Sequence, residues 1–176
     1  MIELGSIEAM TRTALAFIAE NSAFVPVLVF FLGLGESIVI VSLFIPSTAL
    51  FLAIGAADSA AGGTFLPVWL AGSAGAMLGD VVSFAVGRYF REDLVRFWPF
   101  SRYPDLFDRC RGLFQRWGLL AIMAGKFMGT ARPFLPVVAG AMTMPWPQFV
   151  FASFASSLAW AGLLLAPGYG LAALWG

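Results

Sequence analysis

Gly125-Lys-Phe-Met-Gly-Thr-Ala-Arg132-Pro-Phe-Leu-Pro136 sets two cations and two prolines between strongly apolar stretches. Arg132 decides the reading, because no charged residue follows it as far as Gly176. A guanidinium does not shed its proton, and a charge at mid-bilayer depth costs at least about 2.5–3.5 kcal/mol on insertion scales. A chain that carries this cost, and interrupts its helix at Pro133 and Pro136, is expected to hold the cation in a protein-lined, partly wet cavity. Such a cavity suits an anion. Glu36, in Gly33-Leu-Gly-Glu-Ser-Ile, is the acidic counterpart in the first half.

Working outward, hydrophobic residues make up 60% of the chain and charged residues 11%. Mean hydropathy is +0.89. These values exclude an ordinary soluble domain and point to an integral membrane protein. At 176 residues the expectation is one all-helical domain. The zero net charge hides an asymmetry: seven of ten basic residues (Arg88, Arg91, Arg96, Arg102, Arg109, Arg111, Arg116) share one segment. The positive-inside rule places that segment in the cytoplasm. With one cysteine and no histidine, an internal disulfide is impossible, and neither a metal nor any other cofactor is expected.

Residues 1–22 have no compact apolar core of the signal-peptide kind. Ile7, Met10, Ala14, Phe17 and Ile18 share a face, which predicts an amphipathic helix on the membrane surface. The run 23–57 is too long for one span of about 20 residues and short for two. With Pro46 as its break, it reads as a first re-entrant hairpin, and Asp58 opens an exposed turn. Residues 64–90 form a full span containing Asp80. The stripe Gly72, Gly75, Gly79 and the pair Gly125, Gly129 read as close helix-packing surfaces. The segment 91–117 is a basic cytoplasmic loop ending in a helix over 104–117, with Leu106, Cys110, Leu113, Phe114 and Trp117 on its apolar side. A second re-entrant hairpin over 118–143 breaks at Pro133 and Pro136. A charge-free span over 148–166 ends at Pro167-Gly168. The halves parallel each other, Phe44-Ile-Pro46 against Phe134-Leu-Pro136, so the fold expected is an inverted repeat of two facing hairpins.

Lys126 and Arg132 are six residues apart, and an unbroken helix would not put them on one face. The break at Pro133 lets them converge on a phosphate, Arg132 as a fork and Lys126 as a point charge. The alternative has Lys126 snorkelling to the interface and Arg132 held by Glu36 purely for structure. A membrane carboxylate balanced between desolvation and a cation can carry a proton, and Glu36 and Asp80 are the candidates for proton coupling or an ion pair. Asp80, nearer the cytoplasmic interface, is expected rather to pair with Arg88 or to cap.

Glu36 followed by Phe44-Ile-Pro46, then Gly79-Asp80-x-x-Ser-Phe-x-x-Gly87-Arg88, then Gly125-Lys-Phe-x-x-x-x-Arg132-x-x-x-Pro136-x-x-Ala-Gly140, then Phe149 and Trp160, resembles the DedA family of bacterial inner-membrane proteins. The same domain is similar to the SNARE-associated or VTT domain of eukaryotic lipid scramblases. The resemblance covers roughly residues 20–166. It implies two facing re-entrant hairpins and lipid transport, with undecaprenyl phosphate as the lipid several members return to the cytoplasmic leaflet. The family's membrane acid falls on Glu36 and its paired arginines on Lys126 and Arg132. Thr48 stands where many members carry a second acid, and Ser153 where an asparagine is frequent.

The expected function is a lipid transporter of the bacterial inner membrane whose partners are membrane lipids and protons, not nucleic acid. A non-selective phospholipid scramblase is the alternative. A lipid pyrophosphate phosphatase is disfavoured, since a phospho-histidine mechanism has no histidine to use.

Overall fold

The computed structural model describes residues 21–42, 47–91, 93, 101, 104–128 and 132–175. The surface helix expected over 1–22, the hairpin proline Pro46 and Gly129 lie outside them, apart from residues 21 and 22. Every regular element among the described residues is helical. A short 3-10 turn, Ser22–Phe24, leads into α1 (Val25–Glu36). Pro26 falls in the first turn of α1, where its missing N–H leaves no intrahelical bond unmade. A single turn, α2 (Val39–Ser42), follows. After it come α3 (Ser47–Ala60) and the long α4 (Phe65–Phe90). The second half comprises α5 (Pro104–Trp117), α6 (Leu119–Gly125), α7 (Phe134–Ala141) and α8 (Trp146–Trp175).

Among the described residues, two helices are long and apolar enough to cross a membrane: α4, and α8 over Trp146–Gly170. They cross the whole structure and pack on each other, and the shorter limbs lie along them. Small residues decide where. Lipid offers no hydrophobic drive for helices to associate, so close backbone approach and van der Waals packing must do it. A Cβ on Gly72 would meet Val29 at 2.9 Å, one on Gly75 would fall on the Phe30 carbonyl, and one on Gly79 would reach the Leu34 carbonyl at 2.5 Å. The first part of α4 therefore receives α1 along the expected stripe. Further along the same helix, Gly87 lies against the Val137 carbonyl, and Gly140 of α7 against Phe84 and Arg88. On α8, α3 packs along the second half, with Gly55 against Leu165 and Gly168 against the backbone of Gly55 and Ala56. The limb α6 packs on α8 as well.

Two apolar clusters result. One gathers Val29, Phe51, Ile54, Val68, Trp160 and Leu165. The other gathers Phe84, Cys110, Ile122, Phe134, Val137 and Phe149, with the Phe84 and Phe149 rings stacked at 4.1 Å. Between them lies a layer of buried polar residues that includes Glu36, Ser37, Asp80, Ser83, Lys126, Arg132, Ser153 and Ser157. Asp80 is roughly 22 Å along α4 from Phe65 and roughly 15 Å from Phe90, at about 1.5 Å per residue.

Several expectations need correction. The turn after α3 begins later than expected, at Ala61. Asp58 is not exposed: it is buried inside α3 and accepts a hydrogen bond from the Tyr169 hydroxyl. A carboxylate that finds a phenol on a neighbouring helix can stay inside. Pro136 does not break the second hairpin. It sits in the first turn of α7, where a proline costs no hydrogen bond, and the non-helical stretch comes before it. Nor do Pro167 and Gly168 end the last helix, which runs on to Trp175. In lipid the backbone must satisfy itself internally, and a neighbouring helix shields the proline defect. In α5, Trp117 is exposed while Cys110, Leu113 and Phe114 face the core. Gly118, with φ 51°, stops that helix directly after Trp117.

Candidate functional site

Four charged side chains meet in the polar layer, each from a different place in the chain. Glu36 is the last residue of α1, Asp80 lies within α4, Lys126 directly follows α6, and Arg132 sits two residues before α7. All are buried, with exposures of 4–8%. Arg132 pairs with Glu36, and Lys126 pairs with Asp80. Lys126 and Arg132 do come to one place, both lining one cavity.

Lys126 does not snorkel to the interface. Its ammonium donates to Asp80 and, at 2.5 Å, to the Ser157 hydroxyl. Nor does Asp80 pair with Arg88. Its Oδ2 accepts from Lys126 and, at 2.7 Å, from the Ser153 hydroxyl. Arg88 instead donates at 2.8 Å to the Met144 carbonyl, in the connection between α7 and α8. Ser83 ties the layer to α1 by donating to the Ser37 carbonyl at 2.8 Å.

Arg132 is the most unusual member. Its guanidinium carbon lies 3.7 Å from the centre of the Trp160 ring, a cation–π contact. One nitrogen, Nη1, serves Glu36, while Nε and Nη2 are buried without an acceptor among the described residues. A buried donor left in that condition is costly. The group faces a cavity of about 250 Å³ lined by Glu36, Thr48, Lys126, Phe127, Arg132, Trp160, Leu163 and Leu164. Phe127 and Leu163 are half-exposed apolar residues, so the cavity combines cationic walls with a greasy rim.

Thr48 thus stands on the cavity wall, where it contributes a hydroxyl and no charge. Trp160, Ser153 and Ser157 belong to the site although the residue pattern gave them no chemical role. The serines had a signal: Ser153-x-x-Ser156-Ser157 is a helical-spaced polar patch in a span that carries no charge.

The profile of the VTT domain matches residues 45–170, most of the chain. The chain belongs to the VTT domain family. The DedA resemblance read from its motifs is thereby borne out. It is 29% identical over 152 residues to the inner membrane protein YabI of Escherichia coli, covering 86% of this chain and 60% of that protein. To YghB of the same organism it is 32% identical over 129 residues, 73% of this chain and 59% of that one. An uncharacterised membrane protein of Buchnera aphidicola is 29% identical over 153 residues, 87% of this chain and 60% of the relative. The VTT chain described here spans about 60% of the length of these relatives. No solved structure matches it.

Proposed function

We propose that this VTT protein is a multi-pass protein of the bacterial inner membrane that carries a lipid with an anionic phosphate headgroup, of the undecaprenyl phosphate type, between leaflets. The headgroup sits in the cavity against Arg132 and Lys126, and the tail leaves past Phe127 and Leu163 into the bilayer. The observation that carries this reading is Arg132: a buried guanidinium at a cavity wall, two of whose nitrogens have no acceptor among the described residues. A phosphate oxygen pair fits that fork, and the low-dielectric surroundings strengthen the attraction.

The transport path follows from a facing-hairpin reading of the fold. The first limb of each half packs on its own long helix, α1 on α4 and α6 on α8, and the second limb packs on the other half's, α3 on α8 and α7 on α4. This exchange is what two inverted halves with re-entrant hairpins would produce. On that reading the polar layer belongs near the midplane, where irregular backbone is tolerated if it lines a cavity. Transport needs a difference in headgroup affinity between the two access states, and protonation of Glu36 supplies one by releasing Arg132.

The test is transport in proteoliposomes of a fluorescent polyprenyl phosphate beside a zwitterionic phosphodiester lipid. Arg132-dependent movement of the phosphomonoester alone supports the carrier. Equal movement of both lipids identifies a scramblase, and movement of neither rejects lipid transport.

A further inference from the structure

We infer that a cavity at the basic end of α4 is a second phosphate site, one that holds the headgroup of an anionic phospholipid at the membrane surface. It is lined by none of the residues of the Arg132 cavity, and the inference does not depend on the transport reading above.

The cavity measures about 250 Å³ and is lined by Arg91, Arg111, Gln115, Ala141 and Met142. Three elements distant in sequence build it. Arg91 follows the last residue of α4, Arg111 and Gln115 stand one turn apart on α5, and Ala141 and Met142 close α7. Cys110, Leu113 and Phe114 pack α5 against the core, which fixes its polar face beside Arg91. Two guanidiniums and an amide therefore converge on one hollow. Among the described residues its lining holds no carboxylate.

The backbone of Arg91 is a second, independent observation. Arg91 closes α4 with φ 46° and ψ −118°, its N–H bonded to the Gly87 carbonyl. Residues with a Cβ rarely adopt a positive φ, whereas glycine does so freely. The same turn directly after α5, with φ 51° and ψ −119°, is made by Gly118. An arginine thus occupies a conformation for which glycine is the easier choice, and strain of this kind gathers at ligand-binding positions. The side chain so placed lines the cavity.

The surroundings favour a lipid over a soluble anion. Tyr89 and Trp117 are exposed, the one close before Arg91 and the other close after Gln115. Amphipathic rings of that kind settle at headgroup depth, where anionic lipids attract basic residues. A planar guanidinium pairs with two phosphate oxygens at once. It carries five donors, so Arg111 serves an incoming phosphate beside its other contacts. Gln115 adds an uncharged donor for an ester or glycerol oxygen.

Native mass spectrometry of the full chain in detergent, with phosphatidylglycerol or phosphatidylcholine added, reads how much of each lipid stays bound. The wild type should retain phosphatidylglycerol in preference. Arg91→Gly and Arg111→Gln should each weaken that binding on the order of tenfold, the loss of one charge-assisted contact. Arg91→Gly should also keep or raise the melting temperature, because glycine relieves the turn. Arg109→Gln and Arg116→Gln remove equally exposed charges of α5 that lie off the lining, and Arg132→Lys alters the other cavity. All three should bind phosphatidylglycerol as the wild type does. An equal loss in the Arg109 and Arg116 variants would mean diffuse surface attraction and overturn the site. Undiminished binding in Arg91→Gly and Arg111→Gln would overturn it as well. So would a lower melting temperature of lipid-free Arg91→Gly, which would make Arg91 a structural cap. Displacement by an equal concentration of inorganic phosphate would overturn the lipid assignment. Loss in Arg132→Lys alone would move the lipid to the polar layer, overturning this inference and leaving the transport reading standing.

Discussion

Arg132 answers to two partners, Glu36 and the cavity, and its substitutions separate them. Arg132→Ala should abolish phosphate-lipid transport and also lower stability by about 3–5 kcal/mol, because Glu36 is left as an uncompensated buried charge. Arg132→Lys keeps the charge and loses the fork and the planar stack on Trp160. It should fold, with transport reduced on the order of tenfold, about 1.4 kcal/mol in activation free energy. Melting temperature and transport, measured on the same preparation, tell the two losses apart. Normal transport by Arg132→Ala would remove the anion site altogether. Cys110 allows a simpler residue-level test. Burial raises its thiol from 9.0 to about 11. The folded state therefore holds the proton more tightly than the unfolded chain. The stability linked to it is fully present below pH 9 and is lost as pH rises through about 11. At neutral pH the native protein should resist thiolate-directed labelling, and denaturation should expose the thiol at once. Rapid labelling of native protein would contradict the packing of α5 against the core.

Among the elements, glycine has opposite meanings in α4 and α5, and alanine substitution reads the difference. Gly75→Ala places a methyl on the Phe30 carbonyl, so α1 and α4 must separate at a cost of about 1–3 kcal/mol. Gly112 in α5 has nothing within 4 Å of an added Cβ. Gly112→Ala should therefore stabilise α5 by about 0.5–1 kcal/mol through helix propensity alone. Thermal unfolding in detergent should move in opposite directions for the two variants. A shift of the same sign in both would mean that α1 does not dock on the glycine stripe. The serine patch of α8 works at this scale too: it lets a charge-free helix serve the Lys126–Asp80 ion pair, which resides on other elements.

For the whole molecule, orientation is the property to test. The helix α4 runs from the turn at 61–64 to the start of the basic region 88–116, so these lie at its opposite ends. Cysteines at Ala61 and Ser101, both exposed, in a Cys110→Ala background should label with an impermeant reagent from opposite sides of the membrane, with residue 101 cytoplasmic. Labelling of both from one side would refute the crossing of α4, and with it the proposed facing-hairpin path. The division into two apolar clusters with a polar layer between them also belongs to this scale. It puts every buried charge of the site at one depth, which no single element could do.

Membrane residence, the two long helices and the presence of membrane-embedded charge at Glu36, Lys126 and Arg132 were all legible in the chain. Each follows from a local rule: apolar runs of sufficient length, cations that lipid penalises, and prolines and glycines that limit where helices continue or approach. Even the VTT relationship is written in the order of those motifs. Partner choice is not local. Asp80 has Arg88 eight residues away on its own helix, yet it pairs with Lys126, because α6 and α8 bring the ammonium and two serines to the middle of α4 and the guanidinium is drawn off by Met144. Asp58 became a core residue only because Tyr169 arrives from α8, and α8 continued past Pro167 only because α3 covers it. A linear sequence states what each residue costs in a membrane, whereas packing between distant helices settles which groups compensate one another.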